Sequence, residues 1–158
     1  NPAGAKKQVL GVFSVDLVET LAHVLQRLGS QHVLIVHGSD GLDEITITGK
    51  THIGELKNDT IQSYTIQPED FGFQSAPIQG IQVNDAEHAK TMLLSVLKNK
   101  SGAARDVVIL NAGAAIYVAG VVDNLAAGIT TAQKTIESGA ALKKLHELVV
   151  LSQKNAAQ

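Results

Sequence analysis

The chain has 158 residues, 44% of them hydrophobic, with 13 basic against 15 acidic side chains for a net charge of -2. That length is one ordinary domain with enough apolar material for a real core. The acidic balance and the 3% aromatic content exclude a basic, aromatic-lined nucleic-acid surface. The lack of cysteine excludes disulfides, thiolate metal sites and a Cys nucleophile.

With almost no aromatics, the core must be built from Ala, Val, Leu and Ile, as in helices packed on a buried sheet. Residues 8–13 (QVLGVF) read as a buried strand. Ser14 and Asp16 are expected N-caps for a helix whose apolar positions are Leu17, Val18, Leu21, Val24, Leu25 and Leu28, closed by Gly29. Residues 32–36 (HVLIV) form a second buried strand. Strand, helix and strand make one βαβ unit and so a parallel pair.

After a polar loop at 37–44 the period changes. Ile45 and Ile47, then 53–56 and 61–66, alternate as a small antiparallel ribbon, with turns at Gly49-Lys50 and Asn58-Asp59. Residues 68–77 read as a loop anchored by Phe71 and Phe73. Asn84, with Glu87 three residues on, is the expected capping box of a helix with apolar stripe Ala89, Met92, Leu93, Val96 and Leu97. Residues 104–119 form a buried helix rich in Ala and Gly, and 123–138 and 140–153 two amphipathic helices around Gly139. The expected fold is α/β: a parallel sheet with a β ribbon and C-terminal helices. Its domain spans 1–154, followed by a frayed tail at 155–158. No segment approaches the roughly 18 apolar residues of a membrane span, no signal peptide is expected at the start, and the expected location is the cytoplasm.

The loop at 37–44 leaves the C-terminal end of a buried strand, the edge where open parallel sheets receive ligands. It holds Asp40, Asp43 and Glu44 with two glycines. Neighbouring carboxylates off a helix can share a hard cation, and Mg2+ takes one or two of them plus water and phosphate oxygens. The spacing therefore fits a Mg2+-phosphate site, and it equally fits a solvated acidic turn.

The string His37-Gly38-x-Asp40-Gly41-Leu42-Asp43-Glu44 resembles the signature loop of the anthranilate phosphoribosyltransferases. Further matching segments keep the family order: Asn1-Pro2-Ala3, Gln8-Val9-Leu10-Gly11-Val12, Pro68-Glu69-Asp70-Phe71-Gly72, Arg105-Asp106 leading into Leu110-Asn111-Ala112, and Ala115-Ile116-Tyr117-Val118-Ala119-Gly120. The resemblance implies a large domain of the nucleoside phosphorylase/phosphoribosyltransferase type. It implies transfer of phosphoribose from phosphoribosyl pyrophosphate to anthranilate in tryptophan biosynthesis, with Mg2+ held by Asp43 and Glu44. It also implies a homodimer when complete. The family's Gly-Thr-Gly-Gly-Asp and Lys-His-Gly-Asn segments do not occur in the 158 residues. In the family they precede the Asn-Pro-Ala segment, so this chain is expected to be the later portion of the enzyme, lacking the N-terminal half and inactive alone, with no catalytic residue assigned in it. The alternatives are a pyrimidine nucleoside phosphorylase-like enzyme, which has no metal-pyrophosphate to hold, and a nucleic-acid-binding paralogue of the same fold.

The remaining polar residues have structural readings. His37 is a loop former at a strand end, and His23, His52, His88 and His146 show no metal spacing. Lys6-Lys7 is a solvated strand entrance, Asn111 bonds to nearby backbone, and the small residues of 113–120 allow close helix packing. No GxSxG arrangement supports nucleophilic hydrolysis.

Overall fold

Four strands and five helices follow one another in a computed structural model that describes residues 4–156. The Asn1-Pro2-Ala3 segment and the last two residues of the expected tail lie outside the described residues. Strand β1 (Lys7–Gly11) is followed by α1 (Asp16–Arg27) and β2 (His32–Gly38); then come β3 (Thr51–Lys57) and β4 (Thr60–Ile66). Helices α2 (Ala86–Leu97), α3 (Ala103–Ala119), α4 (Leu125–Glu137) and α5 (Ala140–Ala156) complete the chain. No helix among the described residues is long and apolar enough to cross a membrane.

The strands form one sheet in the order β1-β2-β3-β4. β1 runs parallel to β2, while β2–β3 and β3–β4 are antiparallel. The expected ribbon is thus fused to the far edge of the parallel pair. Its tip is a two-residue turn in which Asn58 and Asp59 have φ of 50° and 61°, the left-handed pair that a tight hairpin demands.

β2 is apolar on both faces because both are covered. Val33 and Ile35 join Val18 and Ala22 of α1, Leu56 of β3 and Val12 in one cluster. Leu34 and Val36 point the other way, into a larger core with Ile53, Ile109, Leu110, Ala114, Tyr117 and Val118. Phe71 and Phe73, in and after a short 3-10 turn at Pro68–Phe71, pack against that core as anchors.

Several expectations are corrected. β1 ends at Gly11, where the 40–44 loop crosses it, and Phe13 stands 80% exposed. The N-cap position is Val15, which has no side-chain cap bond, while Ser14 Oγ just before it accepts the Asp16 N–H at 3.4 Å; Asp16 is not the cap but sits in the first turn, where a carboxylate favours the helix dipole. The cap of α2 is Asp85, not Asn84; its side chain accepts from the His88 N–H at 2.7 Å. Ile45 and Ile47 are fully buried but lie in no strand. Helix α5 continues to Ala156, past the expected start of the tail, and leaves Leu148, Val149, Val150 and Leu151 exposed.

Candidate functional site

The acidic loop emerges from the C-terminal end of β2 and is knotted by its own backbone. The Gly38 N–H donates to Leu42 O at 2.8 Å, the Gly41 N–H to Gly38 O at 2.9 Å and the Ser39 N–H to Lys50 O at 2.8 Å. Asp40 is the organiser within it. Its Oδ2 accepts from Thr46 Oγ1 at 2.6 Å and Thr48 Oγ1 at 2.7 Å, and its Oδ1 from the Leu42 N–H at 3.2 Å. Burial pushes the Asp40 carboxyl up, but the hydroxyls of Thr46 and Thr48 and the Leu42 N–H outweigh it, so the group lies below its ordinary value. With both oxygens engaged, Asp40 is a structural member of the loop.

Asp43 and Glu44 differ. Both are exposed, and neither carboxylate takes a hydrogen bond or ion pair among the described residues. Among those residues no group of three or more His, Asp or Glu is placed to enclose a metal, so an all-protein cage is ruled out there. Two free carboxylates facing water match the donor set of Mg2+, which keeps waters and phosphate oxygens in its remaining positions.

The platform beneath the pair is fixed from three directions. Gly11 lies directly under the Asp43 carbonyl, where a Cβ would stand 1.5 Å from the oxygen. The His37 ring reaches back to Val12 O at 2.8 Å through Nδ1, tying the loop's first residue to the end of β1; because the carbonyl can only accept, Nδ1 carries the proton. Asn111 of α3 receives the Ile45 N–H on Oδ1 at 3.0 Å and donates from Nδ2 to Ile45 O at 2.8 Å. The Thr46 N–H donates to Thr51 Oγ1 at 3.0 Å.

Sequence reasoning placed His37, Asp40, Asp43 and Glu44 together but missed Gly11, Thr46, Thr48 and Thr51. Thr46 lies in a stretch read as alternating strand, and Thr48 and Thr51 flank the expected turn at Gly49-Lys50. Lys7 is exposed at the first position of β1, as expected, and its Nζ also donates to Ala119 O at the end of α3 at 3.0 Å, a favourable place for a cation.

A second polar cluster occupies the opposite end of the sheet. Glu55, whose side chain is 12% exposed, accepts from Tyr117 OH at 2.6 Å and Tyr64 OH at 2.9 Å and bonds His32 Nε2 at 3.0 Å. Lys57 Nζ donates to Tyr117 OH at 3.1 Å. A cleft of about 640 Å³ opens beside it, bordered by Lys7, His32, Lys57, Tyr117 and Asp123. Nothing in the sequence reading pointed to this cluster, because its members come from β2, β3, β4 and α3.

Residues 1–142 match the family described as the glycosyl transferase family, a/b domain. An anthranilate phosphoribosyltransferase from Nitrosomonas eutropha is 59% identical over 152 residues, which cover 96% of this chain and 45% of that protein. The Thiobacillus denitrificans enzyme of the same name is 56% identical over 152 residues, 96% of this chain and 44% of the relative. The crystal structure of anthranilate phosphoribosyltransferase from Thermus thermophilus superposes with a TM-score of 0.86 at 34% identity, covering 95% of this chain and 44% of that one. The Saccharomyces cerevisiae enzyme in complex with PRPP and Mg superposes with a TM-score of 0.77 at 26% identity, covering 89% and 41%. The chain spans just under half the length of the curated relatives it matches.

Proposed function

The chain belongs to the glycosyl transferase family, as its a/b domain, and from that premise we propose that it is the metal-holding part of an anthranilate phosphoribosyltransferase. The complete enzyme transfers phosphoribose from phosphoribosyl pyrophosphate to the amine of anthranilate, releasing pyrophosphate, in the cytoplasmic synthesis of tryptophan. The observation that carries this reading is the exposed, unpartnered Asp43-Glu44 pair on a braced loop at the C-terminal end of β2. The names of the relatives and the PRPP and Mg of the yeast complex support it.

Asp43 and Glu44 would hold Mg2+ against the pyrophosphate. The ion, when bound, neutralises leaving-group charge as the bond to the ribose carbon breaks. The protein's own task is positioning: a fixed carboxylate pair at the mouth of the sheet holds the donor's phosphate end so that its ribose carbon meets the amine. Asp40 stays out of this role because its oxygens are already engaged. The rest of the polypeptide supplies the family's Gly-Thr-Gly-Gly-Asp and Lys-His-Gly-Asn segments, and the complete protein is a homodimer. A pyrimidine nucleoside phosphorylase would have no use for the carboxylate pair, and a nucleic-acid-binding paralogue is disfavoured by the net charge of -2.

The test follows anthranilate fluorescence on adding phosphoribosyl pyrophosphate and Mg2+. Joined to the remaining part of a full-length relative, the chain is expected to turn over. Asp43→Asn with Glu44→Gln is expected to lower turnover by roughly a hundredfold or more, and added Mg2+ to rescue each single variant in part. The 158-residue chain alone is expected to show no turnover. Full activity of the double variant across a Mg2+ titration would reduce the loop to a solvated acidic turn.

A further inference from the structure

Helix α3 is a run of apolar and small residues, and between Asp106 and Tyr117 its only polar side chain is Asn111. Asparagine is a poor choice there. It is a weak helix former, and an amide taken out of water costs free energy unless its groups are bonded. In this chain both of its N–H donors are used. Nδ2 donates to Ile45 O at 2.8 Å and to Val107 O at 3.0 Å, and Oδ1 accepts the Ile45 N–H at 3.0 Å.

The partner is as unusual as the asparagine. Ile45 is 1% exposed, lies in no strand, and directly follows Glu44. A buried residue outside a ladder must find other partners for its N–H and C=O. Asn111 offers a carbonyl and an amide N–H side by side, as a neighbouring strand would, and so closes a two-bond clamp across 66 positions of sequence. The clamp lies one residue after the carboxylate pair, and Gly11 meets the pair's first residue, Asp43.

We propose that Asn111 is a positioning residue for the metal-phosphate site, acting through the Ile45 backbone to hold Asp43 and Glu44 in register. The inference rests on the reading of that pair as Mg2+ ligands. Two adjacent carboxylates repel each other, and on a loose segment they swing apart. Mg2+ demands near-ideal octahedral geometry, so a pair that must first be gathered binds it more weakly than a pair already held. Asn111 itself touches neither metal nor substrate. It transmits the rigidity of the buried helix to the loop.

Mn2+ takes the same oxygen ligands as Mg2+, and its unpaired electrons broaden nearby amide signals. The experiment joins the chain to the remaining part of a full-length relative, titrates that protein with Mn2+ in the presence of pyrophosphate and follows the amide signals of Asp43 and Glu44, alongside thermal unfolding. In Asn111→Ala the broadening midpoint is expected to move to about tenfold higher Mn2+ or more, the usual effect of losing a group that orients a metal ligand. Asn111→Asp keeps the acceptor for the Ile45 N–H and is expected to shift the midpoint less; it decides the question should Asn111→Ala fail to fold. Ile136→Ala, a core truncation in α4, is expected to lower the unfolding temperature and leave the midpoint in place. A folded Asn111 variant with the wild-type midpoint overturns the positioning role while leaving the metal site standing. Wild-type signals of Asp43 and Glu44 that ignore Mn2+ and pyrophosphate overturn the metal reading, and the positioning role with it.

Discussion

A missing side chain sets the geometry beneath the acidic loop. At Gly11 a Cβ would stand 1.5 Å from the Asp43 carbonyl oxygen and 2.5 Å from its carbon. The obstacle is backbone, so no rotamer change relieves it. Gly11→Ala must lift the loop from the end of β1 or bend the strand. The expected cost is about 3 kcal/mol, the upper part of the overpacking range, read from urea unfolding. A loss under about 0.5 kcal/mol, as for a change that touches nothing, would show that loop and strand are not in contact. At this scale the acidic loop was legible in the sequence because its signature is local: three acids and two glycines after an apolar strand. The choice of Asp43 and Glu44 as metal ligands comes from the family resemblance and stands as a proposal. Gly11 was not, since a glycine inside a strand does not announce which distant carbonyl will lie on it. Asn111 was half legible. A lone amide in an apolar helix signals a backbone bond, but not that the partner is Ile45.

Two helices owe their mutual approach to glycine. On Gly113 of α3 a Cβ would lie 2.6 Å from the Ile129 backbone, and on Gly128 of α4 one would lie 2.2 Å from Gly113 O. Each glycine costs its helix about 1 kcal/mol relative to alanine, so two opposing terms decide the effect of Gly113→Ala. Propensity favours the variant by about 1 kcal/mol. Forcing the backbones apart disfavours it by up to about 3 kcal/mol. The expected outcome is a net loss of about 2 kcal/mol, measured by chemical denaturation; a gain in stability would mean that the helices do not cross tightly. Periodicity in the sequence identified these helices and the Asn58-Asp59 hairpin, where pattern and turn chemistry agree. It failed at 45–47, where Ile45 and Ile47 alternate like a strand. Their burial is real, but the Ile45 backbone bonds Asn111 and the Thr46 N–H bonds Thr51. A period-two pattern reports which side chains face the core, and whether a neighbouring strand is present is settled by the rest of the chain.

Across the whole molecule, the sheet carries its candidate chemistry at one end and a structural polar knot at the other. The knot around Glu55 joins β2 through His32, β3 through Lys57, β4 through Tyr64 and α3 through Tyr117. The His32 and Tyr117 rings meet edge to face at 4.7 Å, and Lys57 Nζ lies 4.6 Å from the Tyr117 centroid. These contacts make stability depend on alkaline pH. Burial, then the neighbouring Glu55 charge, pushes the Tyr64 hydroxyl far above its ordinary value of 10.0. Burial and the bond to Glu55 raise Tyr117, and the bond to Tyr117 raises Lys57 above 10.5. A group whose pKa is raised on folding holds its proton more tightly in the native state. Its stabilisation is therefore complete below the unfolded value and is lost as pH climbs towards the folded one. Stability is thus expected to fall above about pH 10, where the unfolded chain releases protons that the native knot retains. Each such group contributes a slope of up to about 1.4 kcal/mol per pH unit. Tyr64→Phe removes one of them while leaving Glu55 its bonds to His32 and Tyr117. The variant should be less stable than wild type near neutrality, and its stability should decline less steeply from pH 10 to 11. Urea unfolding at stepped pH measures both slopes, and parallel wild-type and variant curves in that window would show that Tyr64 titrates alike in the folded and unfolded chains.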